Sequence, residues 1–274
     1  MSAASTTSPP VGVINPHAGS ATLATQVRVL ARRSIKGALS RPQGYMPAVI
    51  MPLLLLTINS QGLAKASLIT GVRQLDFLLV ITFMQAALFA TSNAGLGLAR
   101  DIEEGFLDRL ALTPMRAGAL VTAQISGAVV IALGASLLYV VIGLVTNVTF
   151  HGGVLGTVLL FLLAGWTAFS FATIGAWLAL RSGSSEALQG IFPLLFASLF
   201  LSTLNMPRDL IKAEWFAWIT RFNPVSYMVD GMRSLIITGW DGRALLEILG
   251  VLTLVSALGI TGCVRNLHRR AERG

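Results

Sequence analysis

The sequence predicts an all-α membrane protein: six transmembrane helices, an N-terminal amphipathic interfacial helix, and two short outer-leaflet helices before the last span. Three observations carry this reading. Of 274 residues, 54% are hydrophobic and 12% charged, whereas soluble domains carry about 25% charged residues, and the mean hydropathy is +0.74. Six runs, 45–64, 77–99, 121–145, 154–180, 187–206 and 248–264, hold no Lys, Arg, Asp or Glu, and roughly 20 such residues cross a hydrocarbon core. The basic residues bunch at the edges of these runs, which explains a pI near 10.8 through lipid headgroups and leaves no need for nucleic acid as a partner.

Taken in order, residues 1–22 are rich in Ser, Thr, Ala and Pro without an apolar period, the composition of a disordered tail. In 23–41, Val27, Leu30, Ala31, Ile35 and Ala38 share one helical face, while Arg28, Arg32 and Lys36 repeat every four residues on another. Such a helix is expected in the interface plane, either as an anchor or as a lever joining a partner to the first span. The spanning domain is expected over 42–270, with 271–274 as a cytoplasmic end. Pro42, Pro47 and Pro52 recur through the start of the first span, so that helix is expected to bend or begin late.

Orientation follows from the same basic residues. Arg28, Arg32, Arg33, Lys36 and Arg41 precede the first span and Arg265, Arg269, Arg270 and Arg273 follow the last, while 60–75 offers only Lys65 and Arg73 and 147–153 none. The positive-inside bias puts both termini in the cytoplasm of a cell-membrane protein, together with 100–120 and the tight turn at 181–186. The segment 205–243 is too polar to cross and too apolar to float free. Trp215, Phe216, Trp218, Ile219 and Phe222 suit an interface, and Asn223-Pro224 stops one helix and starts another.

The chain holds no G-x-x-x-x-G-K-[ST], so it cannot bind ATP by a P-loop. His17, His151 and His268 lie far apart, Cys263 stands alone, and Ser170 and Ser198 have no activating His or Asp in a span. The spans also lack the interior charges that couple proton- or ion-driven carriers. Thr57, Asn59, Gln85, Asn93, Ser198 and Ser202 are candidates for lining a passage for a mostly apolar solute; the same residue types also serve as interhelical glue.

Residues 101–114, Asp-Ile-Glu-Glu-Gly-Phe-Leu-Asp-Arg-Leu-Ala-Leu-Thr-Pro, resemble the acidic "E-x-G-x-x-[DE]-x-L-x-x-T-P" loop between spans two and three in permeases of type-2 ATP-binding-cassette transporters. The resemblance extends over about 23–270. It includes the Asn223-Pro224-Val225-Ser226-Tyr227 break with Asp230 and Arg233 beyond it, and within the family the daunorubicin-exporter branch is the most similar. Phe106 stands where the family has Thr or Ser.

The resemblance implies a division of labour. ATP and Mg2+ would bind a separate cytoplasmic ATPase subunit, present in two copies, and this chain would bind no cofactor of its own. A second permease copy, identical or different, would complete the pathway among membrane lipids. Glu103, Glu104, Gly105, Asp108, Arg109, Leu110, Thr113 and Pro114 would form the coupling helix on the ATPase, and Asn223, Pro224, Tyr227, Asp230 and Arg233 the outer short helices. The implied cargo is a drug-like hydrophobic molecule or a lipid, with a polysaccharide or glycolipid as the alternative; a channel or intramembrane enzyme lacks a visible constellation.

Overall fold

The computed structural model describes residues 23–40, 42–62, 73–105 and 117–271. Among them are nine α-helices and no strand: α1 Leu23–Leu39, α2 Pro42–Gly62, α3 Gln74–Glu103, α4 Ala117–Val145, α5 Gly153–Ser182, α6 Ser185–Phe200, α7 Glu214–Phe222, α8 Pro224–Ile237 and α9 Gly242–Ala271, with a 3-10 turn at Arg208–Leu210. The expected tail 1–22 lies outside the described residues.

Four helices contain stretches long and apolar enough to cross a membrane: Leu75–Glu103, Val121–Val145, Gly153–Ser182 and Gly242–Arg269. Two apolar helices are shorter, Tyr45–Ser60 and Ser185–Phe200. The sequence run at 187–206 is not helical throughout. Helix α6 ends at Phe200, about 24 Å long at 1.5 Å per residue, against a core of roughly 30 Å. Beyond it the Ser202 hydroxyl donates to the Leu199 carbonyl and accepts from the Leu204 amide, so local side-chain bonds turn the chain there.

Helix α3 is central and packs against α2, α4, α5, α6 and α8, with Leu79, Phe83, Met84, Leu88 and Leu98 fully buried. In lipid, close approach of small residues replaces the hydrophobic drive that assembles soluble helices. At the α3–α5 crossing, a Cβ on Gly175 would strike the Thr91 carbonyl oxygen, and one on Gly95 would lie 3.0 Å from the Gly175 oxygen. The space exists only because both residues are glycine.

Paired contacts give the helix directions. Asp101 meets Gln124 and Phe83 meets Tyr139, so α3 and α4 are antiparallel. Trp166 meets Ser256 and Thr173 meets Cys263, so α5 and α9 are parallel. Ser34 of α1 reaches Gln124 and Tyr139 reaches Ala48 of α2, so the chain passes from α1 to α2 in the direction in which α4 runs. Helix α1, expected as an element of the interface plane, is thus also a strut of the bundle. Its Ser34 sits against Gly127, where a Cβ would meet the hydroxyl. The exposed Arg28, Arg32 and Lys36 occupy the flank turned away.

Pro47 and Pro52 both lie inside α2. Proline has no amide hydrogen, so Pro52 cannot bond the carbonyl of Ala48 one turn earlier. The fully buried Tyr139 hydroxyl donates to that carbonyl instead, which is how a proline inside a membrane helix is tolerated.

The two helices after α6 part company. Helix α7 is a surface element, with Trp215, Trp218 and Phe222 about two-thirds exposed. Helix α8 is buried in the bundle, with Met228, Val229, Met232, Leu235 and Ile236 all at 1% exposure or less. Two short helices thus meet at the Asn223-Pro224 break, one at the surface and one within the bundle. The reason is that α8 is apolar on several faces and its Gly231 lets it press against Ile248 of α9.

Candidate functional site

One end of the bundle gathers the start of α4, the end of α3 and the α5–α6 turn. Helix α3 stops through the Glu104 amide on the Arg100 carbonyl at 2.9 Å and the Gly105 amide on the Ile102 carbonyl at 3.0 Å. Gly105 has φ 65°, the left-handed value that a glycine after a helix end supplies without strain. Helix α5 stops in the same way at Gly183, φ 67°, and Ser184 caps α6 by accepting from the Ala187 amide.

Into this turn reaches Glu103. Its carboxylate accepts from the Ser185 amide at 2.7 Å and from the Ser185 hydroxyl at 2.9 and 3.0 Å. A carboxylate on the unbonded amides of a helix N-terminus is a favourable match of charge and dipole. Beside it, Gln124 donates to Asp101 at 2.6 Å and faces the Ser34 hydroxyl at 3.5 Å. Glu104 is exposed. Asp108, Arg109, Leu110, Thr113 and Pro114 fall in 106–116, outside the described residues, in the segment that joins Gly105 to Ala117.

At the opposite end, Arg73 donates to the carbonyls of Asn147 and Thr146 at 2.5 and 2.7 Å, closing the end of α4. The Asn223 amide group donates to the carbonyls of Ser198 and Leu201 at 2.7 and 2.9 Å, while its oxygen caps α8 by accepting from the Val225 amide at 3.0 Å. Pro224 occupies the first helical position, where a missing amide hydrogen costs nothing. Tyr227 donates to the Arg221 carbonyl at 2.7 Å.

Asp230 then joins two arginines. Arg208 pairs with it at 2.8 Å and lies over the Tyr227 ring at 4.5 Å; Arg233 approaches it at 3.5 Å. Arg233 also donates to the Leu204 carbonyl at 2.8 Å and stacks over Phe77 at 4.1 Å, and Thr203 donates to Asp230 at 2.8 Å. Burial acts to lower the Arg208 pKa, but the hydrogen bond and charge of Asp230 outweigh it and hold the pKa above its usual value. Arg233 is only 8% exposed and Asp76 only 5%, so the interior does hold ionisable groups that the charge-free runs did not announce.

The candidate pathway residues divide. Thr57 and Asn59 turn back on their own helix, bonding the carbonyls of Leu53 and Leu55 at 2.8 and 2.7 Å. Ser198 and Ser202 do likewise on Leu195 and Leu199. Gln85 is 2% exposed. Its side-chain oxygen, the Thr91 hydroxyl and the Asn93 amide nitrogen are buried without a hydrogen-bond partner among the described residues. All three lie on α3, and none touches the two clusters at the bundle ends through any hydrogen bond.

Sequence reading passed over Ser185, Gln124 and Arg208, and took Thr203 for a passage-lining candidate where it donates to Asp230. Gly183-Ser184 carried a stop-and-restart signal for a helix, but nothing local paired Ser185 with a carboxylate 82 positions away.

No curated protein matches this chain. A family model described as ABC-2 type transporter matches residues 25–237. That span runs from within α1 to the end of α8, including the Glu103–Ser185 contact at one end and the Asn223 and Asp230 clusters at the other. The chain belongs to the ABC-2 type transporter family and is its membrane permease component.

Proposed function

We propose that this permease is the membrane half of an exporter driven by a separate ATPase subunit, two copies of each forming the working complex, with hydrophobic small molecules or lipids as cargo. In this reading α2, α3, α4, α5, α6 and α9 are the six spans, and both ends of the chain face the cytoplasm. The directions of the helices support it. The end holding Glu103, Asp101 and Ser185 is also the end of the acidic segment 100–116. Segment 106–116 follows directly from the Gly105 turn and is the docking loop for the ATPase.

The observation that carries the cargo reading lies on α3. Gln85, Thr91 and Asn93 hold unpartnered polar atoms inside an otherwise apolar, charge-free stretch. Each unmade hydrogen bond costs about 1–3 kcal/mol. A passage that opens beside α3 would bring these atoms to a ligand that is mostly apolar with one or two polar groups, which gains by desolvation and satisfies them.

The test is charge reversal at the docking loop. Glu104→Lys with Asp108→Lys should leave the chain inserted in the membrane and abolish ATP-dependent export by the complex with its ATPase. Full transport by that variant with a normally assembled ATPase would remove the docking assignment. Gln85→Leu should alter which compounds are exported more than it alters basal ATP hydrolysis.

A further inference from the structure

Glu103 and Glu104 are both exposed beside the segment proposed to dock on the ATPase, and both oxygens of Glu103 lie within hydrogen-bond distance of the Ser185 hydroxyl. What Glu103 holds is the first residue of α6.

Helix α6 joins the two ends of the bundle. It packs through Leu188 and Leu199, which are buried, and through Phe192, Leu195 and Phe196. It is tied at one end by Glu103 and at the other by the Asn223 amide on the carbonyls of Ser198 and Leu201. Between these ties, Phe192 meets Phe89 of α3 at 5.9 Å. Pro193 inside the helix removes one backbone bond. A helix fastened at both ends by hydrogen bonds carries a displacement from one tie to the other.

We propose that Glu103 is a positioning residue: it fastens the stem of the docking loop to α6, so that a displacement imposed by the ATPase travels along α6 to Asn223 and the start of α8 at the opposite end. The inference rests on the proposed function, since it needs an ATPase to supply the push. It assigns Glu103 a task distinct from docking.

The experiment uses the complex of this chain with its co-purifying ATPase subunit, in a Cys263→Ala background carrying Leu201→Cys at the far end of α6, where Leu201 is 38% exposed. The maleimide labelling rate is read with and without ATP plus vanadate. The background protein should show a nucleotide-dependent change in rate. Glu103→Ala and Ser185→Ala should each cut that change several-fold while the ATPase still co-purifies. The double variant should be no worse than the worse single one. Glu103→Gln, which keeps an acceptor oxygen, should retain part of the change.

An unaltered change in Glu103→Ala overturns the proposal. So does loss of the ATPase in Glu103→Ala while Ser185→Ala behaves normally, because that pattern makes Glu103 a docking residue. A background protein with no ATPase and no nucleotide effect would instead overturn the ATP-driven reading on which the inference stands.

Discussion

The Tyr139 hydroxyl donates to the Ala48 carbonyl, the one backbone oxygen that Pro52 leaves without its helical amide. A substitution at Tyr139 thus acts on α2, not only on α4. Tyr139→Phe should destabilise the protein by about 1–3 kcal/mol, the cost of a buried unsatisfied carbonyl. In a Pro52→Ala background, where the amide is restored, the same change should cost clearly less. Thermal unfolding of the four proteins in detergent measures the coupling.

Asn223 is expected to discriminate sharply between replacements. Asn223→Asp keeps an oxygen for capping α8 but loses both donors to the Ser198 and Leu201 carbonyls and sets a negative charge against them. Asn223→Ala loses the cap as well, worth about 1 kcal/mol by itself. Both should lower the melting temperature, and Asn223→Ser, able to cap, should not restore the link to α6. Protease sensitivity near 200–225 reads the loosened junction.

The Asp230 cluster is asymmetric. Asp230→Ala leaves Arg233, with a side chain only 10% exposed, without its carboxylate, and removal of one partner of a buried pair costs about 3–5 kcal/mol. Arg208 has a side chain 37% exposed, and a pair that water reaches contributes about 0–1 kcal/mol. Expression and thermal stability should therefore fall far more for Asp230→Ala than for Arg208→Ala.

Gly175 tolerates no Cβ because the Thr91 backbone occupies the space, whereas Gly250 has nothing within 4 Å. Gly175→Ala should destabilise by about 1–3 kcal/mol through forced separation of α3 and α5. Gly250→Ala should be neutral or slightly stabilising, since alanine costs less than glycine in a helix. Equal melting temperatures for the two variants would contradict the close crossing.

Sidedness is tested by labelling. With cysteines placed singly in a Cys263→Ala background, the exposed position His151 should react in intact cells. The exposed positions Glu186 and Arg269 should react only after permeabilisation. Reaction of Glu186→Cys from outside would reverse the proposed orientation.

The sequence by itself determined that this chain is helical and membrane-embedded, because hydropathy and charge spacing are properties of segments and the bilayer reads segments. The break at Asn223-Pro224 was legible for a similar reason: capping is local chemistry. Only the tertiary structure decided that α8 is buried while α7 is not, that α6 stops at Phe200, and that Tyr139 serves Ala48. It also decided what Glu103 holds: its carboxylate accepts from Ser185, 82 residues on. Contacts of that kind depend on how helices are arranged about α3. Periodicity along one helix says which face is apolar, and carries no information about which neighbour covers it.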